Sequence, residues 1–179
     1  MKVKKKIFAI IGSASSGSTN IKLVDYLANI TDVDFEWTIN NDLKFLPHFD
    51  PELSADNPPA SIIAFRKNVS EADGILICTP EYVFSLPSGL KNAIEWCVAT
   101  TVFSEKPCGL ITASTNGQKG HKSLLLIMKT VTAKYTKATT LLISGIKGKI
   151  NLEGHIIDEK TTKDLKEFAK AFKKLVHKH

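Results

Sequence analysis

The feature that most restricts this chain is the alternation of short, mostly apolar runs with longer stretches of helical spacing. Residues 7–11, 74–78, 109–113 and 141–143 are rich in Ile and Leu, and each run is followed by Gly, Ser or Thr. Runs of this kind suit strands buried on both faces. Residues 33–39 alternate apolar and polar side chains, as a strand nearer the sheet edge does. Between the runs, apolar side chains recur at helical spacing at Ile21, Val24, Leu27 and Ala28, at Ile62, Ile63, Phe65 and Val69, and at Leu90, Ala93, Ile94 and Cys97. The series continues with Leu124, Ile127, Met128 and Val131 and closes with Leu165, Phe168, Ala169, Phe172 and Val176. The intervening crossovers are too long for hairpins. The pattern therefore predicts an α/β fold with a doubly wound, five-stranded parallel sheet of order 2-1-3-4-5 and helices on both faces. Residues 43–59 break the rhythm: with Pro47, Pro51, Pro58 and Pro59 among polar residues, they read as a long surface loop.

A chain of 179 residues is within the size of one domain, so residues 1–179 are expected to share a single core. Apolar residues make up 43% and charged residues 23%, which excludes a disordered chain. The net charge of +6 invites a nucleic-acid reading, but the lysines sit at the two ends. Lys2, Lys4, Lys5 and Lys6 open the chain, and Lys160, Lys163, Lys166, Lys170, Lys173, Lys174 and Lys178 decorate its last helical stretch. That distribution suits a solvated helix face, so no nucleic-acid partner is expected. Cys78, Cys97 and Cys108 form no C-x-x-C pair and are odd in number, which speaks against both a metal site and a disulfide framework. The first apolar run is too short for a signal peptide, and no run approaches the length that spans a bilayer. A soluble, cytoplasmic protein without membrane or metal partners is expected.

In an open parallel sheet, ligands bind beyond the carboxyl ends of the strands. Three loops there are unusual. The first, Gly12-Ser13-Ala14-Ser15-Ser16-Gly17-Ser18-Thr19-Asn20, offers hydroxyls, an amide and a helix N-terminus, and so reads as a neutral anion cradle. Ser18 stands where a P-loop requires Lys, and the glycines do not match G-x-G-x-x-G, so neither an NTPase nor a Rossmann dinucleotide grip is indicated. A plain helix N-cap at Ser18 is the structural alternative. The second loop, residues 79–89, places Tyr82, Val83, Phe84 and Leu86 between Pro80 and Pro87. Such a shelf suits a flat apolar ligand such as an isoalloxazine ring; its alternative is a buried turn. The third, residues 114–121, supplies small residues and backbone amides at the next strand end.

Together the loops resemble the NADPH-dependent FMN reductase family, which includes small quinone, chromate and azo-dye reductases. The likeness rests on Gly12-Ser13 with Ser18 and Asn20, and on Pro80-Glu81-Tyr82 with Ser85, Pro87 and residues 90–96. It implies a flavodoxin-like fold and FMN as cofactor, with NADPH or NADH as electron donor. It implies a quinone, azo, nitro, flavin or metal-oxyanion compound as small-molecule acceptor, ping-pong turnover, and a homodimer with each flavin near the interface. It places the phosphate at Ser13, Ser18, Thr19 and Asn20, with Ser15 in the same cofactor-binding loop, and the ring at Pro80, Glu81, Tyr82, Val83, Phe84 and Ser85, with Ser114 and Gly117 flanking the far side. The flavin carries the chemistry, so no catalytic side chain is required.

Two positions depart from the family pattern, which commonly has Arg where this chain has Ser15 and Asn where it has Val83. Loss of the Arg removes a charged donor near a phosphate of flavin or nicotinamide nucleotide. Lys119 and His121 are candidates to restore that charge. His48 invites a proton-donor role, with an exposed loop histidine as the plainer account; Trp96 reads as core or subunit contact, and Cys78 as a small apolar filler. Two other functions use the same residues: a flavodoxin-like FMN electron carrier, which usually presents an acidic docking face, and a flavin-free binding module.

Overall fold

The structure, a computed structural model, describes residues 3–15 and 17–179; Lys2 of the basic N-terminus and Ser16 of the cradle lie outside the described residues. Strands β1 (Lys5–Ile11), β2 (Phe35–Asn40), β3 (Gly74–Thr79), β4 (Cys108–Ser114) and β5 (Thr140–Ser144) form one sheet of order β2-β1-β3-β4-β5. Every pairing is parallel, with Ile7 opposite Gly74 and Leu110 opposite Thr140 as representative partners. The predicted order and direction both hold.

Helices α1 (Thr19–Ile30), α2 (Pro51–Ser54), α3 (Ala60–Glu71), α4 (Ser88–Glu95), α5 (Gln118–Thr130) and α6 (Glu159–His177) complete the chain. Successive strand residues face opposite ways, which divides the core in two. Ile7, Ala9, Ile11, Leu76 and Cys78 pack with Leu23, Val24 and Leu27 of α1 and with Leu165, Phe168, Phe172 and Val176 of α6. Phe8, Ile10, Ile75 and Ile77 meet α3, α4 and α5 through Phe65, Val69, Leu90, Ile94, Leu124 and Met128 on the other face. The continuous apolar runs of β1, β3 and β4 are thus two half-cores read in alternation. The run at residues 141–143 is different, because β5 is an edge strand and only Ile143 of it is buried. Expected burial on both faces fails there, at the margin of the sheet.

Residues 43–59 also depart from the expected loop. They hold a 3₁₀ turn (Leu43–Phe45) and α2, whose start is set by Asp50: its carboxylate accepts the Glu52 N–H at 2.9 Å, with Pro51 in the first turn. The segment is fastened to α4. Asn92 accepts the Phe49 N–H at 2.7 Å and donates to the Pro47 carbonyl at 2.9 Å, while the indole N–H of the buried Trp96 donates to the same carbonyl at 2.8 Å. The Phe49 ring stands edge-on to Trp96, centroids 5.4 Å apart. Trp96 is therefore core.

Helix α6 lies against the sheet where two strands lack side chains. A Cβ at Gly74 would come within 2.7 Å of Val176 Cγ2, and one at Gly109 within 2.8 Å of Phe168 Cζ and 3.1 Å of Leu76 Cδ1. Gly109→Ala therefore overpacks this seam and is expected to cost about 1–3 kcal/mol, read as a melting temperature several degrees lower. Gly148→Ala, where a Cβ would meet nothing within 4 Å, is the control and should leave the transition in place.

Candidate functional site

Because the strands are parallel, β1, β3, β4 and β5 deliver their following loops to one edge of the sheet. The first loop leaves β1 pressed against β3. The Gly12 N–H donates to the Cys78 carbonyl at 2.8 Å, and a Cβ on Gly12 would lie 2.3 Å from Thr79 Oγ1, so only glycine fits. Ser13, nearly buried, accepts the Ser15 N–H at 3.2 Å, and its hydroxyl lies 3.4 Å from that of Tyr82. Ser18 is the N-cap of α1, with extended backbone and its hydroxyl accepting the Asn20 N–H at 3.1 Å. The cap and cradle readings are compatible, since the hydroxyl proton remains for a ligand.

Asn20 stands at the cleft, as the resemblance implies, but its side chain is also engaged with the sheet. It is 2% exposed; its amide donates to the Ala113 carbonyl at 3.3 Å and accepts the Cys78 S–H at 3.3 Å. Its side chain ties the start of α1 to the ends of β3 and β4, which orients the cradle from behind. Burial pushes the thiol of Cys78 above the ordinary range, as expected of an inert filler.

The second loop is a tight reversal. Tyr82 N–H donates to the Ser85 carbonyl at 3.0 Å and Ser85 N–H to the Tyr82 carbonyl at 2.9 Å, while Val83 and Phe84 both have left-handed backbones, φ 48° and 58°. This is the geometry of a type I′ turn, which favours Asn and Gly and strains a β-branched residue. The turn lifts Val83 and Phe84 into solvent, 93% and 71% exposed, with Tyr82 half exposed beside them. Leu86 does not belong to the exposed shelf: it is buried and holds the turn to the core.

Glu81 fastens this loop to the third. Its carboxylate accepts the Gly120 N–H at 2.6 Å in the first turn of α5, and a Cβ on Gly120 would crowd Glu81 Cβ at 3.0 Å and the Ser85 carbonyl at 3.2 Å. Gly117, left-handed at φ 84°, starts α5 where a Cβ would meet Leu142 at 2.8 Å. His121 has its Nδ1 2.9 Å from Thr112 Oγ1, and burial holds its pKa below the usual histidine value, so the ring is neutral near pH 7.

These loops enclose a cleft of about 420 Å³, within the size range of small-molecule sites. Of the expected residues, Ser13, Ser15, Ser18, Thr19 and Asn20 line one wall, and Pro80, Glu81, Tyr82 and Ser114 the other. Val83, Phe84, Ser85 and Gly117 shape its rim and supports without lining it. Ile146 and Lys147, which sequence reasoning missed, also line it. They lie on a 3₁₀ turn (Ile146–Lys149) after the edge strand, and no motif marks them. Lys119 and His121, the cations considered from sequence, do not line the cleft. His48 lies in a second cavity of about 210 Å³, with Leu43, Leu46 and Asn41, that shares Ser13 and Tyr82 with the first.

The donor set matches a phosphorylated flavin. Four hydroxyls, those of Ser13, Ser15, Ser18 and Thr19, converge at the N-terminus of a 12-residue helix, where backbone N–H groups and the helix dipole favour an anion. A Cβ on Gly17 would meet nothing within 4 Å, so backbone there is open to a ligand. Across the cleft stand the rings of Pro80 and Tyr82. Among the described residues no group of three or more His, Cys, Asp and Glu side chains could hold a metal ion.

Comparison with known proteins bears on the same cleft. The chain is 31% identical over 170 residues to a 2-hydroxy-1,4-benzoquinone reductase of a Burkholderia species, covering 91% of each. It is 27% identical over 170 residues to an NAD(P)H-dependent FMN reductase of Pseudomonas aeruginosa, covering 87% of this chain and 86% of the relative. Among solved structures it superposes on FerB, a flavoenzyme NAD(P)H:(acceptor) oxidoreductase of Paracoccus denitrificans, with a TM-score of 0.76 at 25% identity over 98% of both chains. The family pattern named NADPH-dependent FMN reductase matches residues 5–147, from the first strand into the turn that carries Lys147. The chain belongs to the NADPH-dependent FMN reductase family, FMN-dependent oxidoreductases that draw electrons from NAD(P)H.

Proposed function

We propose that this protein passes electrons from NAD(P)H to a quinone-class acceptor in the cleft between residues 13–19 and 80–82, as a cytoplasmic homodimer of one-domain subunits. The observation that carries the reading is that a hydroxyl-rich helix N-terminus and the rings of Pro80 and Tyr82 line one cleft. Bound FMN supplies the hydride and electron chemistry. Ser13, Ser15, Ser18 and Thr19 hold its phosphate, and Pro80 and Tyr82 back the ring. Glu81, engaged with Gly120 N–H, fixes the spacing between the ring wall and α5. Val83 and Phe84 stand at the open rim and support a partner subunit there. The three cysteines are free and buried, as suits a reducing compartment, and no helix of the described residues is long and apolar enough to cross a membrane.

The site separates two residues that the family likeness groups together. Ser18→Ala is expected to weaken FMN by about 1–2 kcal/mol, the loss of a hydrogen bond to a charged group, and to leave riboflavin affinity unchanged, while the lost N-cap lowers stability by about 1 kcal/mol in either case. Asn20→Ala removes a buried amide that bridges α1 and the sheet, so it should lower thermal stability and weaken both flavins together. Titration by flavin fluorescence, at about one FMN per chain, with a parallel melting curve distinguishes the two.

Ser15 offers no charge to a 2′-phosphate, so discrimination between NADPH and NADH should stay within roughly tenfold in kcat/KM, about 1.4 kcal/mol of differential transition-state binding. Steady-state assays with both donors against a soluble quinone, repeated on Ser15→Arg, read it: the variant should shift the ratio toward NADPH.

Sedimentation of the wild-type protein should give twice the chain mass. Phe84→Asp places a charge on the exposed rim and should shift the species toward monomer without lowering secondary-structure content.

A further inference from the structure

The cleft has an uneven charge inventory. Among the described residues that line it, Glu81 is the one anion and Lys147 the one cation. Glu81 is turned to the Gly120 N–H, so among the described residues lining the cleft Lys147 alone offers a positive side chain to whatever anion the hydroxyls of Ser13, Ser15, Ser18 and Thr19 receive. We propose that Lys147 is the counter-cation of the FMN 5′-phosphate and sets the preference of the cleft for phosphorylated over unphosphorylated flavin. The inference rests on the reading that residues 13–19 hold that phosphate.

The fold delivers this lysine to the cleft rather than leaving it on a free surface. Ser144 at the end of β5 donates its hydroxyl to the Asn116 carbonyl at 2.6 Å, and the Gly145 N–H donates to the Thr115 carbonyl at 3.0 Å. These bonds dock the corner after β5 onto the third loop. Ile146, 3% exposed, then inserts into the core layer shared with α1 and α6. The backbone leading into Lys147 is thus held, while Lys147 itself is exposed and lines the cleft.

Its charge is also uncommitted. Lys149, two residues on, pairs with Asp158 at 3.6 Å, whereas Lys147 makes no ion pair among the described residues. A phosphate monoester carries about 1.5 to 2 negative charges near pH 7, while a helix N-terminus contributes only about half a positive charge. Hydroxyls orient such a group but do not neutralise it. A flexible ammonium suits the task, acting as a point charge without demanding a fixed fork geometry. The 2′-phosphate of NADPH has the same chemistry, but the cradle hydroxyls and Lys147 line one cleft, which favours the flavin's phosphate.

The test is a flavin titration of the apo-protein, followed by fluorescence quenching at low and high salt, with circular dichroism as the check on folding. Wild type should bind FMN far more tightly than riboflavin. Lys147→Ala should weaken FMN about tenfold and leave riboflavin unchanged, with a smaller salt dependence of FMN binding, because one charge contact is lost. Lys147→Arg should stay within about threefold of wild type, since the charge is kept. Ser15→Arg added to Lys147→Ala should restore part of the affinity from the opposite wall. Unchanged FMN affinity in Lys147→Ala, with wild type still preferring FMN, overturns the role of Lys147 and leaves the cradle standing. Equal weakening of FMN and riboflavin overturns it in favour of a structural role. Unchanged FMN affinity with a selective loss of NADPH over NADH binding assigns the lysine to the donor's phosphate. Equal affinity of wild type for the two flavins overturns the cradle reading itself.

Discussion

Every part of the site depends on one constraint: all five strands are parallel, so each strand that ends releases its loop at the same edge of the sheet. Loops far apart in sequence, from Ser13 to Lys147, therefore border one cleft. Parallel strands also require a crossover between each pair, and the helices that supply it cover both faces. The N-terminus of α1 is consequently brought to the cleft edge by the same geometry that buries its Leu23, Val24 and Leu27.

Within that frame, three polar fastenings turn neighbouring loops into a fixed wall. Asn20 joins α1 to β3 and β4 in a buried environment, where an unmade hydrogen bond is costly. Glu81 joins the turn after β3 to the start of α5, and its negative charge lies at a helix N-terminus where the dipole favours it. Ser144 and Gly145 join the corner after β5 to the loop after β4. The first two use side chains that the family likeness assigns to the ligand. The remaining hydroxyls of Ser13, Ser15, Ser18 and Thr19 are then presented by backbone already held in place, which lowers the entropy lost on binding.

The rim shows what such support permits. Val83 is held at a backbone conformation that valine adopts at a cost, because two hydrogen bonds across the turn and the buried Leu86 leave it no alternative. The strain raises an apolar tip, Val83 and Phe84, beside the half-exposed Tyr82. On the far side of the shared wall, Asn41 carries a buried side-chain oxygen with no hydrogen-bond partner among the described residues. His48 lines that second cavity, which adjoins the cleft through Ser13 and Tyr82.

The strands, the helices, their order and the two principal loops were legible in the sequence, because burial on both faces writes continuous apolar runs and amphipathic helices write a 3.6-residue period. Short elements without a period were not: α2 is four residues long, and its Asp50-Pro51 start lay hidden among prolines. Sequence alone established which residues of the first two loops are polar or apolar, and hence what class of ligand suits them. Only the tertiary structure decided which polar groups bond to one another and which line the cleft. It turned Asn20 inward, gave Glu81 to α5, buried Leu86 and brought Lys147 to the cleft from an edge strand, because hydrogen bonds and charges are assigned by distances across the sheet that local sequence does not encode.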